Sequence, residues 1–145
     1  MKRVLGRTDN ANFPELHLSE IDIKVDTGAY TSAIHCHEIE EVSMEGKSFI
    51  KFKLLDPFHP KYNEKEFIFK KYRKKRVKSS FGISEERFVI QTVIEMFNEQ
   101  HPIYLTLSER SSMRYPILLG RKFITNRFII DTSKKNLSIK SNTSK

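Results

Sequence analysis

Only one of the 145 residues is a cysteine, Cys36, so a disulfide framework is excluded and a reducing compartment is expected. No apolar run approaches the ~20 residues that a membrane span needs. The opening stretch MKRVLGRTDNANFP has basic residues with no apolar segment behind them, which does not fit a signal peptide. Together these absences lead us to expect a cytoplasmic protein with no membrane partner. Hydrophobic residues make up 38% of the chain, against ~45–50% in ordinary globular domains. The core should therefore be thin, helped by 11 Phe and by any surface buried against a second subunit. Repeats, heptads and low-complexity segments are all missing. The length suits one domain, residues 1–140, followed by a disordered polar tail at 141–145.

Metal and nucleotide signatures are also lacking. There is no His-Glu-x-x-His string, no Cys-x-x-Cys pair and no glycine-rich phosphate loop. His35-Cys36-His37 is the only cluster of soft ligands. On a strand the two His share a face and Cys36 points away, so at most two of them reach one ion. We expect no metal and no cofactor, with surface histidines and a half-buried Cys.

What the chain does have is a period of two, the signal of strands. Ile21, Ile23 and Val25 alternate with Asp22 and Lys24 and stop at the turn-like Asp26-Thr27-Gly28. Further strands are expected over Ala29–His35, Phe49–Leu55, Arg87–Phe97, Pro102–Leu107, Phe128–Ile130 and Leu137–Ile139, with Phe67-Ile68-Phe69 opening one that runs into the basic cluster, while Tyr115–Gly120 is a short apolar run closed by Gly. Arg121–Asn126 fits one or two helical turns, and Pro57–Glu66 reads as a loop. Many short strands with scarcely any helix predict an all-β fold, a closed β-barrel with one short C-terminal helix.

Asp26-Thr27-Gly28-Ala29 stands directly after a strand, where a tight turn can fix a carboxylate. Read alone, it is equally an Asx-type turn with a surface Asp. Context decides. The string resembles the signature of the retropepsin family of aspartic proteases, whose second element, two apolar residues and a Gly before a short helix, is matched by Leu118-Leu119-Gly120. KVDTGAYTSAIH (24–35), VKSSFG (77–82), LSERSSMRYPILLGRKFI (107–124) and FIIDTS (128–133) narrow the likeness to a bacterial branch carrying the label ATP-dependent zinc protease. The resemblance runs from about Ile21 to Leu137.

It implies an endopeptidase in which two carboxylates face each other and share a proton. Only one Asp-Thr-Gly is present, and Asp131-Thr132-Ser133 lacks the Gly, so Asp131 reads as structural. The resemblance then implies a homodimer acting on a peptide or protein substrate. Asp26 is the catalytic residue it implies, with Thr27, Gly28 and Ala29 forming the loop and Leu118, Leu119 and Gly120 supporting it. The family's mobile hairpin lid maps to Ser79–Ile83, with Ser80, Phe81, Gly82 and Ile83 at its tip. Met44-Glu45-Gly46 reads as an ordinary hairpin turn. Retroviral members carry an acid four residues after the catalytic Asp, paired with the Arg after the downstream Gly. Here Tyr30 takes that place, and Arg121 needs another partner.

The net charge is +8, and Lys70, Lys71, Arg73, Lys74, Lys75, Arg76 and Lys78 crowd into one stretch. A solvated edge strand is the plainest explanation. If the stretch enters the lid, Lys74, Lys75 and Arg76 would instead favour acidic peptides. Two rival functions remain beside the protease: a silent peptide-binding module that keeps the fold, and a basic nucleic-acid-binding barrel in which Tyr72 stacks on bases. Of the three readings the nucleic-acid one ranks last.

Overall fold

Alternation in the sequence becomes strands in the computed structural model, which describes residues 2–55, 59–62, 64–78, 81–109 and 114–143. In chain order these are β1 (Arg3–Leu5), β2 (Thr8–Phe13), β3 (Leu18–Val25), β4 (Ser32–Met44), β5 (Lys47–Leu54), β6 (Glu66–Phe69), β7 (Tyr72–Lys78), β8 (Ser84–Met96), β9 (Glu99–Ser108), β10 (Ile117–Leu119) and β11 (Phe128–Ile130). Helix α1 (Arg121–Ile124) follows β10, and α2 (Leu137–Thr143) follows β11. The fold is mostly β.

Strands β1 and β11 form a parallel two-stranded sheet, and the other nine form a second sheet in the order β10-β3-β2-β8-β9-β4-β5-β6, with β7 on β8. Strand β10 bonds two neighbours at once, β3 in parallel (Leu119 opposite Val25) and β4 in antiparallel register (Ile117 opposite Ile34). Tight turns set the long hairpins. Glu45-Gly46 joins β4 to β5 with φ of 52° and 78°, and Phe97-Asn98 joins β8 to β9 with φ of 53° and 61°. Positive φ at both central residues matches the twist of flanking strands.

The inward residues of these strands make the core. Phe13, Ile21, Ile23, Ile34, Ile50 and Phe52 are fully buried, each contributing on the order of 1.5–3 kcal/mol by leaving water. Phe52 stacks on Phe67 at 5.9 Å and meets Phe69 at 5.6 Å, so the phenylalanines do fill space that aliphatic residues leave.

One expected strand is a helix. Leu137–Ile139 opens α2, which continues through Thr143, over part of the segment expected to be a tail; residues 144 and 145 lie outside the described residues. The cause is distant in sequence. The buried Asp9 carboxylate on β2 accepts from the backbone N–H of Ser138 at 2.8 Å and of Ile139 at 3.2 Å. These are donors that a first helical turn leaves unpaired. Ser138 Oγ in turn accepts from Phe97 N–H at 2.8 Å.

Candidate functional site

Strand β3 delivers Asp26 into a loop held on three sides. Its N–H donates to Leu119 O at 2.9 Å, and the preceding Val25 N–H donates to Arg7 O at 2.9 Å. Within the loop, Gly28 N–H donates to Asp26 Oδ1 at 3.1 Å and Ala29 N–H to Asp26 O at 3.2 Å. The carboxylate is thereby aimed by its own turn, half-buried, while Thr27 and Gly28 are exposed and Ala29 is half-buried. Gly28 has a steric role: a Cβ there would stand 3.3 Å from Asp26 Oδ1.

The loop is also stitched to α1. Arg121 N–H donates to Ala29 O at 2.9 Å and Lys122 N–H to Tyr30 O at 2.8 Å. Gly120 is buried and donates its N–H to Ser32 Oγ at 3.0 Å. No larger residue fits, since a Cβ at Gly120 would lie 2.6 Å from Thr31 O. Leu119 is fully buried and Leu118 half-buried between β3 and β4. Arg121 finds its partner without an acid at position 30. Its Nη1 donates to Thr27 O at 2.9 Å, and its guanidinium carbon lies 5.8 Å from the centre of the Tyr30 ring. A cation–π contact thus replaces the ion pair of retroviral members.

The hairpin expected as a lid is β7–β8, paired from Tyr72–Ile90 out to Lys78–Ser84. At its tip Phe81 is 88% and Ile83 68% exposed, and Gly82 has φ 81°. Ser79 and Ser80, also assigned to the tip, lie outside the described residues. Strand alternation divides the basic cluster on β7. On one face Tyr72 OH donates to Glu41 and Lys74 Nζ pairs with Glu41 at 2.9 Å. The hydrogen bond from Tyr72, then that from Lys74, lowers the Glu41 carboxyl below its usual range. Arg76 stands opposite Glu86 in the ladder. Arg73 and Lys75, on the other face, line a cavity of about 290 Å³ together with Thr31, Ser32, Lys122 and Arg127. Of the three cations singled out in the sequence, Lys75 therefore reaches this cavity while Lys74 is held on Glu41. Arg73, Lys122 and Arg127 were not singled out, because only folding brings β7 and α1 together.

The His-Cys-His cluster departs from expectation. Cys36 is fully buried rather than half-buried, and His35 is 6% exposed rather than on the surface. Ile34, His35 and Cys36 are buried in succession on β4, so both of its faces are covered at this end. Burial drives the Cys36 thiol well above its ordinary range, which leaves it unreactive. His37 Nδ1 lies 2.8 Å from Leu55 O, and its ring contacts Tyr62 at 5.4 Å. Among the described residues no three His, Cys, Asp or Glu side chains converge as a metal site would require. Asp131 is tied to its own turn, accepting from Ser133 Oγ at 2.6 Å and Ser133 N–H at 3.0 Å.

The chain is similar to several known proteins. The profile of the RimB-like family, described as retropepsin-like aspartic endopeptidase RimB, matches residues 4–141. A Shewanella pealeana protein named "Probable alpha-L-glutamate ligase" is 36% identical over 137 residues, covering 92% of this chain and 29% of its own length. A Desulfotalea psychrophila protein of the same name is 35% identical over 134 residues, covering 90% of this chain and 28% of its own. The chain thus spans less than a third of the length of these curated relatives. A crystal structure of a Legionella pneumophila protein of unknown function matches with a TM-score of 0.69 and 22% identity, covering 95% of this chain and 99% of that one. At that identity the likeness is one of fold.

Proposed function

Because the chain belongs to the RimB-like family of retropepsin-like aspartic endopeptidases, we propose that it hydrolyses peptide bonds through two Asp26 carboxyls brought together by a homodimer. The observation that carries this reading is the loop itself. Asp26 is aimed by Gly28 N–H and anchored through Leu119 and Arg121, yet one chain supplies a single copy of Asp-Thr-Gly.

Two carboxyls facing across a twofold axis cannot both ionise, so one keeps a proton. The ionised partner takes a proton from a water molecule as its oxygen attacks the peptide carbonyl carbon. The protonated partner donates to the developing oxyanion. The C–N bond then breaks as the nitrogen takes up a proton, leaving a carboxylic acid and an amine. Ala29 would lie beside the substrate backbone, and the β7–β8 hairpin would close over it to exclude water.

Acidic peptides are the substrate class within this proposal. Arg73 and Lys75 on the lid strand support it, as do the relatives named for glutamate ligation, since a hydrolase domain beside a ligase would meet glutamyl peptides. The same names favour the second reading, a silent module that binds such peptides without cleaving them. The closed barrel belongs to the proposal too, supported by the bonding of β10 to both β3 and β4. So does a cytoplasmic setting, for which the buried free thiol speaks; among the described residues no helix is long and apolar enough to cross a membrane.

The test is cleavage of a Glu-rich peptide by the purified chain and by Asp26→Asn. The substitution should cut the rate by about 10²–10⁴-fold with the fold unchanged by circular dichroism. Turnover that survives in Asp26→Asn rules out the dyad, and absence of turnover in both forms favours the silent module.

A further inference from the structure

We propose that the cavity between β7, β9 and α1 is a subsite for one carboxylate side chain of the bound peptide, and that Tyr104 is the residue that positions its cations. The proposal rests on the acidic-peptide reading above and assigns the residues that enforce it.

The cavity has four cations, Arg73, Lys75, Lys122 and Arg127, and no Asp or Glu lines it. Two adjoining hollows share these side chains. One adds Lys71 to Arg73 and Tyr104; the other adds Arg121 to Lys122 and Arg127. Neither has an acidic lining residue. Some cations elsewhere on the described surface are matched, Lys51 with Glu40 and Glu66, Lys53 with Glu38 and Lys74 with Glu41, whereas the four here share one cavity with no acidic lining residue. Like charges gathered without a counter-ion repel, and the arrangement is relieved when an anion enters.

Tyr104 on β9 organises the gathering. The Arg73 guanidinium carbon lies 4.8 Å and Lys122 Nζ 4.5 Å from the centre of its ring. One aromatic ring therefore carries a cation from the lid strand and a cation from the helix stitched to the Asp26 loop, holding both by attraction to its π-face. The floor is apolar, made by the buried Val89, Ile103 and Phe123. Such a pocket suits a side chain with a short aliphatic stem and an anionic end. Thr31 and Ser32 in the wall place it a few residues along the backbone from Asp26.

Binding in the Asp26→Asn background separates this assignment from the question of cleavage. Calorimetry with a Glu-rich peptide and its Gln-for-Glu counterpart should show the Glu form held at least about tenfold more tightly. Arg73→Gln with Lys122→Gln should erase that ratio. Tyr104→Leu should reduce it strongly, whereas Tyr104→Phe, which keeps the ring, should restore it, an outcome no general loss of structure would give. Lys47→Gln, outside the cavity, serves as the charge control and should leave the ratio intact. Equal affinity for the two peptides overturns the proposal. So does a preference that survives loss of both cations, or one that Lys47→Gln erases equally. If the peptides bind as described but the unmodified chain never cleaves them, the endopeptidase reading fails and the subsite stands.

Discussion

Arg121 shows how a loop can be held without the acid that retroviral relatives use. A carbonyl oxygen and an aromatic ring take the guanidinium in place of a carboxylate, which leaves the neighbourhood of Asp26 more positive. Gly120 is the least replaceable residue nearby. Alanine there would drive a Cβ to 2.6 Å from one backbone oxygen and 2.7 Å from another, and backbone cannot step aside as a flexible side chain can. Gly120→Ala should therefore lose about 3 kcal/mol in denaturant unfolding and lose peptide cleavage with it; a native-like midpoint would show that the loop and α1 are not locked together. At this scale the sequence was readable where neighbours in the chain are neighbours in space. Asp26, Thr27 and Gly28 form one turn and could be found together. Tyr104, Arg73 and Lys122 come from three elements, and no local pattern announces their meeting. His35 and Cys36 misled because alternation implies one wet face, whereas on β4 Ile34, His35 and Cys36 are buried one after another.

Among elements, the clearest misreading has a clear cause. Leu137-Ser138-Ile139 alternates as a strand would, and the helix that forms instead is capped from β2 by a carboxylate 129 residues earlier in the chain. The same Asp9 hid β2 itself, since an inward charged residue breaks the pattern that would have marked Thr8–Phe13. Asp9→Ala should leave the Ser138 and Ile139 donors unpaired and cost about 2 kcal/mol, read as a lowered melting temperature with loss of helical signal.

A second prediction concerns β9 where it meets α1 and β11. His101 sits edge-on to Phe123 at 6.0 Å and to Phe128 at 6.2 Å. Burial, then the nearby Arg127, lowers its pKa below the usual imidazole range, and Glu99 opposes the shift without reversing it. The unfolded chain thus binds this proton more readily than the folded one. Stability from this site is present above ~6.5 and is lost as pH falls through the lowered folded value. His101→Gln should flatten that part of the stability profile; an unchanged slope would assign it to other groups.

For the whole molecule, the proposal makes activity a property of two chains. Specific activity should fall on dilution below the dimer dissociation constant, and ultracentrifugation should find a mass of about twice 17.1 kDa where cleavage is seen. Cleavage by a strict monomer would contradict the shared dyad. The β-rich class was legible because period two runs through most of the chain. The route of the chain was not, since β10 owes its place to register with β3 and β4 rather than to anything in its own three residues.

That placement also bears on biosynthesis. Leu119 and Gly120 leave the ribosome long after Asp26, and until they arrive the acidic turn lacks the backbone acceptor for its N–H. A nascent chain must bring distant segments together before this region takes shape, which makes its formation a late and slow event. Unfinished polypeptides are thereby born without a shaped acid.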